Sequence, residues 1–150
     1  MITANQPFLD ANDANILFSA ALAPNARMRR LWALDPAPAT LMTSDQTIME
    51  ARRNLPLLTH PALLQLVEQL TMVLTPPRDL WIPLPTIALP DDDMAILQAA
   101  IAGGATHLLT GNRRHFGPYF GIQIDGLVIL PPAAYPPPDA RVASPDLRLG

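Results

Sequence analysis

The chain has 150 residues, of which 49% are hydrophobic and 15% charged, with a formal net charge of −3 at pH 7. This composition is typical of a globular domain and excludes an intrinsically disordered chain, and the acidic balance argues against a surface that coats nucleic acid. The sequence contains no cysteine and no lysine, which excludes disulfides, thiolate metal sites and lysine Schiff-base catalysis.

The length predicts one domain over residues 1–150, with a core from about residue 6 to 131 and a Pro-rich, partly irregular segment over 131–150. No apolar run reaches the roughly 18 residues that span a bilayer, and the N-terminus lacks the basic and apolar regions of a signal peptide. We therefore expect no membrane association and a cytoplasmic location.

Clusters of proline divide the chain into short segments of strand and helix character. The predicted strands are Pro7–Leu9, Thr40–Thr43, Thr71–Leu74, Thr106–Leu109 and Leu127–Leu130. The predicted helices are Ala14–Ala23, Arg27–Leu34, Asp45–Asn54, Pro61–Leu70 and Asp92–Ala102. Strands that alternate with helices indicate an α/β fold, with a mainly parallel central sheet and helices on both of its faces.

The helix predicted at Asp92–Ala102 has the clearest signals. Pro90 and three successive acids precede its apolar stripe, and Gly103-Gly104 ends it. Asp93 stands three and four residues before Ile96 and Leu97, so its carboxylate heads the core-facing side of the helix. A carboxylate in that position needs a partner, and the chain has no lysine to supply one.

Two other acids, Asp13 and Glu50, are predicted to lie at the same edge of the sheet. Asp13 follows the first apolar strand, and Glu50 lies on the helix after the second. Each has a simpler interpretation, because Asp13 is also a good helix N-cap and Glu50 shares a polar face with Gln46, Thr47 and Asn54. The triplet Asp91–Asp93 could likewise serve only as a partner for the dipole of its helix.

Three carboxylates in one crevice indicate a metal site. Two carboxylates about 4 Å apart repel each other by about 4 kcal/mol at an effective dielectric near 20, so such a group holds protons or binds a cation. Oxygen ligands without cysteine favour Mg²⁺ or Mn²⁺ over Zn²⁺. A hard metal at the carboxyl ends of parallel strands favours phosphate chemistry.

Four segments resemble the motifs of PIN-domain proteins. Asp13-Ala14-Asn15-Ile16-Leu17-Phe18-Ser19-Ala20 is similar to the opening motif, and Thr43-Ser44 followed by Glu50–Leu55 is similar to the second. Asp92–Ala100, continuing through Gly103-Gly104 to Leu108–Asn112, resembles the third, and His115–Pro118 resembles a segment of one bacterial branch. The resemblance extends from about Phe8 to Pro131.

The resemblance implies a PIN-like (Rossmann-like) three-layer sandwich and a metal-dependent ribonuclease of the VapC-like toxin branch. By position in the motifs, Asp13, Glu50 and Asp93 would hold Mg²⁺ or Mn²⁺ and orient the attacking water. Asp93 is preferred to Asp92 because of its spacing to Thr110, and Asp13 to Asp10 because Ile16–Ser19 follows it in the family register.

The resemblance has one departure, at Asn112, where many relatives carry a fourth acid. Asparagine brings no charge, which favours a single metal ion or weaker metal binding. Thr110 would orient a ligand or a metal-bound water, or else only satisfy local backbone. Arg113 and Arg114 would bind RNA phosphates, with a solvated loop as the alternative. His115 is either a turn anchor or a proton shuttle.

Three functions compete at this point. The first is an endoribonuclease that cuts single-stranded RNA, with an antitoxin protein as a further partner and with Pro-rich surfaces compatible with a homodimer. The second is a catalytically weak or inactive PIN-like module that binds RNA or protein. The third, an aspartate-nucleophile phosphatase, is set aside because Asn15 stands where a second aspartate is needed and lysine is absent.

Overall fold

Six β-strands form one sheet in the part of the chain that this computed structural model describes, residues 6–10, 41–54, 61, 68 and 70–134. They are β1 Pro7–Leu9, β2 Met42–Ser44, β3 Thr71–Val73, β4 His107–Leu109, β5 Gln123–Ile124 and β6 Leu127–Leu130. The order across the sheet is β3-β2-β1-β4-β6-β5. Every neighbouring pair is parallel except β5 and β6, which are antiparallel.

The helices that the structure describes from end to end are α1 Asp45–Asn54, α2 Asp91–Ala102 and the single turn α3 Arg113–Phe116. Short 3-10 turns lie at Arg78–Leu80, Gly117–Tyr119 and Pro132–Ala134. Within the described ranges, none of the helices has the length and apolar character that crossing a bilayer requires.

The predicted α/β class and mainly parallel sheet are confirmed. The bounds of β1, β6 and α1 are those predicted from the sequence. The bounds of β2, β3, β4 and α2 differ from the predicted ones by one or two residues. The predicted helices Ala14–Ala23 and Arg27–Leu34 lie outside the described residues, as does most of Pro61–Leu70, of which Pro61 and Glu68 are helical.

The strand order reverses at β1. The chain adds β2 and then β3 on one side of β1, and β4 pairs with its other side in the register Leu9↔Leu109. Phe8, Leu9, Leu108 and Leu109 are completely buried, as expected for central parallel strands. In sheets of this kind the crevice beyond the carboxyl ends of the two strands at the reversal is the usual place for a ligand.

Helix α2 packs on the sheet through the stripe that the sequence predicts. Ile96, Leu97 and Ala100 are buried in the same core as Phe8. The helix ends as predicted, with Gly104 at a φ of 74°, a conformation that favours glycine. A Cβ at Gly103 would lie 2.7 Å from Cγ2 of Val73, so the close approach of α2 to β3 depends on that glycine.

The segment from residue 74 to 90, which we call the Pro-rich loop, is fastened to the rest of the fold by side chains. The buried amide of Gln98 on α2 donates to the carbonyl of Ile82 and accepts from its N–H, both at 2.8 Å. The hydroxyl of Tyr119 accepts from the N–H of Ala88 at 2.8 Å. These contacts hold a segment without regular pairing in a fixed position beside α2.

Candidate active site at the carboxyl ends of β1 and β4

Asp10 follows β1 directly and is only 3% exposed. Its N–H donates to the carbonyl of Leu109 at 3.0 Å, which continues the pairing of β1 with β4 by one residue. The buried hydroxyl of Thr110, the residue after β4, donates to Oδ2 of Asp10 at 2.8 Å. A buried carboxylate therefore lies at the reversal of the strand order.

Asn112 connects Thr110 to the short helix α3. Its N–H donates to Oγ1 of Thr110 at 3.1 Å, and its Oδ1 accepts from the N–H of His115 at 3.2 Å. Asn112 is thus the N-cap of α3, a role that asparagine fills well because its side-chain oxygen replaces a missing helical acceptor. The side-chain nitrogen of Asn112 is directed toward Asp93.

Asp93, in the first turn of α2, is held by two of these residues. Its Oδ2 lies 2.6 Å from Nδ1 of His115, and its Oδ1 accepts from Nδ2 of Asn112 at 3.5 Å. The side chain of Asp93 is 13% exposed. These two contacts fix the orientation of a carboxylate that is mostly withdrawn from water.

These contacts join two carboxylates that are 83 residues apart in sequence, as their numbers 10 and 93 give. The connected set, which we call the acid network, comprises Asp10, Asp93, Thr110, Asn112 and His115. It brings together three residues that the sequence assigns to the site, Asp93, Thr110 and Asn112. Thr110 accepts from local backbone, which is one of its two predicted roles, and its hydroxyl also donates to the carboxylate of Asp10.

A second polar cluster lies beside it, where β2 passes into α1. The hydroxyl of Ser44 accepts from the N–H of Thr47, and that of Thr47 accepts from the N–H of Ser44, both at 3.3 Å. This reciprocal cap satisfies donors at the start of α1. The hydroxyl of Thr43 donates to the carbonyl of Leu9 at 2.9 Å, which ties the start of α1 to the end of β1.

The cap corrects one expectation from the sequence. The sequence places Thr47 on a polar face with Glu50, but Thr47 is only 1% exposed. A hydroxyl is buried at little cost when it is hydrogen-bonded, and Thr47 contacts the hydroxyls of Thr43 and Ser44 at 2.8 and 3.1 Å.

Glu50 and Asp13 are not part of the acid network as the structure describes it. Glu50 is half-buried on α1 and makes no hydrogen bond or ion pair with another described residue. Asp13 lies outside the described residues. Among the histidine, aspartate and glutamate side chains of the described ranges, no group of three is placed to hold a metal ion.

The two arginines predicted to bind substrate begin α3. Arg113 and Arg114 are exposed and directly follow Asn112. The guanidinium of Arg113 lies 5.9 Å from the centre of the Phe120 ring, and neither arginine forms an ion pair with a carboxylate in the described part of the chain. Two positive charges are therefore presented to solvent next to the acid network.

Asp45, the first residue of α1, joins the helix to the Pro-rich loop. Its Oδ1 accepts from the hydroxyl and the N–H of Thr75 at 2.8 and 2.9 Å. Burial by itself would raise the pKa of Asp45, but the hydrogen bonds from Thr75 and from the N–H of Gln46 outweigh it, so the pKa lies below its ordinary value of 3.8.

Acid is therefore expected to destabilise the wild-type protein more steeply than an Asp45→Asn variant. Because the folded-state pKa is the lower one, the stabilisation is complete above the unfolded pKa and is lost as the pH falls through the folded pKa. Urea unfolding at a series of pH values from about 6 down to about 2.5 measures this difference. Thr75→Val, which removes the hydroxyl donor, should share the shallower dependence. Parallel curves for wild type and Asp45→Asn would contradict the prediction.

Two members of the acid network were not in the predicted site. The motif register favours Asp13 over Asp10, although Asp10 directly follows the apolar residues Phe8 and Leu9 of the first strand. His115 was considered as a turn anchor, which its N–H bond to Asn112 supports, but its contact with Asp93 has no sequence signal.

Comparisons of the chain with known protein families, with curated proteins and with solved structures found no match. The fold and the site together define a class, that of α/β proteins with a carboxylate-bearing crevice where the strand order reverses.

Proposed function

We propose that this chain is a metal-dependent endoribonuclease of the PIN type that hydrolyses phosphodiester bonds in single-stranded RNA. The observation that carries the proposal is the acid network, which links Asp10 and Asp93 through Thr110 and Asn112 at the reversal of strand order. The proposal includes the three-layer PIN-like arrangement, a cytoplasmic location and a toxin role, with an antitoxin protein and a homodimer as the expected partners.

The donors in the crevice suit a hard cation. The acid network offers carboxylate oxygens, and Mg²⁺ and Mn²⁺ prefer such oxygen ligands. Each carboxylate oxygen has two lone pairs, so the contacts that Asp93 makes with His115 and Asn112 leave further positions on its carboxylate for a cation. Glu50 and Asp13 are the other proposed ligands. A bound ion would supply an activated water and stabilise the charge that develops on the phosphate.

The remaining residues of the site would position these ligands and the substrate. His115 and Asn112 fix the orientation of the Asp93 carboxylate, as second partners commonly do for metal ligands. Thr110 does the same for Asp10. Arg113 and Arg114 would bind RNA phosphates, because a guanidinium pairs with two phosphate oxygens at once and both side chains are exposed.

The proposal is tested by incubating the purified protein with end-labelled single-stranded RNA in Mn²⁺, in Mg²⁺ and in excess chelator. We expect cleavage with either metal and none with the chelator. The same chain carrying Arg113→Ala and Arg114→Ala should cleave with an apparent KM raised by about tenfold, because each lost phosphate contact weakens binding. Undiminished cleavage in chelator would contradict a metal-dependent mechanism, and intact RNA under every metal condition would contradict the nuclease assignment.

Asn112 favours a second candidate, a PIN-like module that binds RNA or protein without cutting. Its amide replaces an acid, and its oxygen is already used to cap α3. This function predicts that intact RNA is retained in a gel-shift experiment and released by the Arg113→Ala, Arg114→Ala change. It is distinguished from the first by whether any cleavage product accompanies the retained RNA.

A further inference from the structure

A groove of about 480 Å³ lies beside the ends of β2 and β3, on the same edge of the sheet as the acid network. Its walls are formed by the start of α1, by the Pro-rich loop, and by Asp91, Asp92 and Ala95 of α2. We call it the α1–α2 groove. No residue of the acid network lines it, so it is a separate feature of the surface.

The walls of the α1–α2 groove are fixed in position by hydrogen bonds. Asp45 binds both the N–H and the hydroxyl of Thr75. The indole N–H of Trp81 donates to the carbonyl of Pro76 at 3.0 Å, and Gln98 clamps the next residue of the loop, Ile82. Because these walls are already ordered, the groove loses little conformational entropy when it binds a ligand.

The groove combines apolar surface with negative charge. Met49 is 60% exposed on its α1 side, and the Trp81 ring lies on the opposite loop. The charged residues that line it are three aspartates, at positions 45, 91 and 92, and Arg78, which gives a net of −3 + 1 = −2. A surface of this charge repels the phosphates of nucleic acid and attracts cations.

Arg78 already shows how a guanidinium binds on this surface. It donates to both carboxylate oxygens of Asp91, at 2.7 and 3.2 Å, while its Cζ lies 5.5 Å from the centre of the Trp81 ring. Asp92 is exposed beside this pair and forms no hydrogen bond or ion pair with the other residues that the structure describes. One carboxylate of the groove is thus available to a cation from another molecule.

We propose that the α1–α2 groove binds an extended peptide segment of a partner protein, one that places an arginine or lysine beside an apolar side chain. The cationic group pairs with Asp92, and the apolar side chain packs on Met49 and the prolines of the loop. Charge complementarity and the exposed methionine select this occupant. The proposal is independent of the ribonuclease assignment, because it uses no residue of the acid network.

The test measures binding of a fluorescein-labelled eight-residue peptide of arginine, leucine and proline to the full chain by fluorescence anisotropy, without added metal. We expect saturable binding that weakens as salt is raised, and no binding of the same peptide with glutamate in place of arginine. Asp92→Asn should raise the Kd by about three- to fivefold, the upper part of the range of an exposed ion pair, and Asp92→Arg should raise it further. Met49→Ser should also raise it.

The matched control is Asp125→Asn, which removes the same charge from the turn between β5 and β6 and should leave the Kd unchanged within about twofold. Asp125 has a φ of 47°, a conformation that asparagine also tolerates, so this variant folds as the wild type does. Equal effects of Asp92→Asn and Asp125→Asn would overturn the proposal, since binding would then follow net charge alone. If single-stranded RNA displaces the peptide and binds more tightly to Asp92→Asn, the groove is a nucleic-acid surface and the proposal is also overturned.

Discussion

Replacing Asp93 with asparagine is expected to lower the rate of RNA cleavage by about 100-fold or more and to leave the fold intact. Asparagine has nearly the shape of aspartate and retains an oxygen for the donors of His115 and Asn112, but it removes the negative charge that a metal ligand supplies. Asp13→Asn and Glu50→Gln are expected to have the same effect on cleavage. The measurement is the initial rate of product formation from end-labelled RNA in Mn²⁺, with circular dichroism of each variant.

The control for the Asp93 experiment is again an acid outside the crevice. Asp125→Asn makes the same chemical change at the exposed β5–β6 turn and should keep the wild-type rate. A wild-type rate in the Asp93→Asn protein would remove Asp93 from the proposed ligands. Loss of cleavage only in Asp93→Asn, with full activity in Glu50→Gln, would separate the acid network from Glu50, in keeping with the absence of a bond between them among the described residues.

The central strands could be predicted because their sequence and their burial agree. Phe8-Leu9 and Leu108-Leu109 form short apolar runs between turn-forming residues, and all four side chains are fully buried in parallel pairing. Helix α2 was predictable for a similar reason, since its start, stripe and glycine end are all local signals. These elements form the core of the fold, where only apolar residue types are buried without cost, so their positions can be recognised from the sequence.

The parts that were not predicted are short. β5 has two residues and is joined to β6 by Asp125-Gly126, both at positive φ, which is the signature of a tight hairpin turn. That dipeptide was present in the sequence, but a two-residue strand gives no periodicity to accompany it. α3 is a single turn that depends on the Asn112 cap, and one turn of helix has no stripe to detect.

The sequence indicates which residues of the site lie together more clearly than it indicates the register of the first acid. Motif spacing placed Asp93, Thr110 and Asn112 in one region, and hydrogen bonds connect all three. The position of the first acid is harder to predict, because Asp-Ala-Asn occurs twice in succession from Asp10. The motif can therefore be aligned in two frames, one starting at Asp10 and one at Asp13. Asp10 follows β1 directly, and its position is set by the pairing of β1 with β4 about 100 residues later. Asp13 lies outside the described residues, so both frames stay predictions.

Asp10→Asn is expected to reduce RNA cleavage by about 100-fold or more, as large an effect as at Asp93. Asp10 is the acid that directly follows β1, and its buried carboxylate lies at the reversal of strand order, where a ligand of the sheet is expected. Asparagine still offers an oxygen to the hydroxyl of Thr110, so the change removes charge without removing the hydrogen bond. The rates of Asp10→Asn and Asp13→Asn, measured side by side in Mn²⁺, compare the two frames of the repeated tripeptide directly.

Stability measurements separate a chemical role of Asp10 from a structural one. Asp10→Ala leaves the buried Thr110 hydroxyl without its acceptor and should cost about 1–3 kcal/mol in the free energy of unfolding, whereas Asp10→Asn should cost much less. Thr110→Val removes the donor of the hydrogen bond to Asp10. It tests whether the Asp10 carboxylate supports RNA cleavage only when this bond orients it. A nuclease role for Asp10 requires that Asp10→Asn lose cleavage at near wild-type stability. If cleavage in all three variants falls only in proportion to the unfolded fraction, Asp10 is a structural residue and the frame that starts at Asp13 supplies the acid.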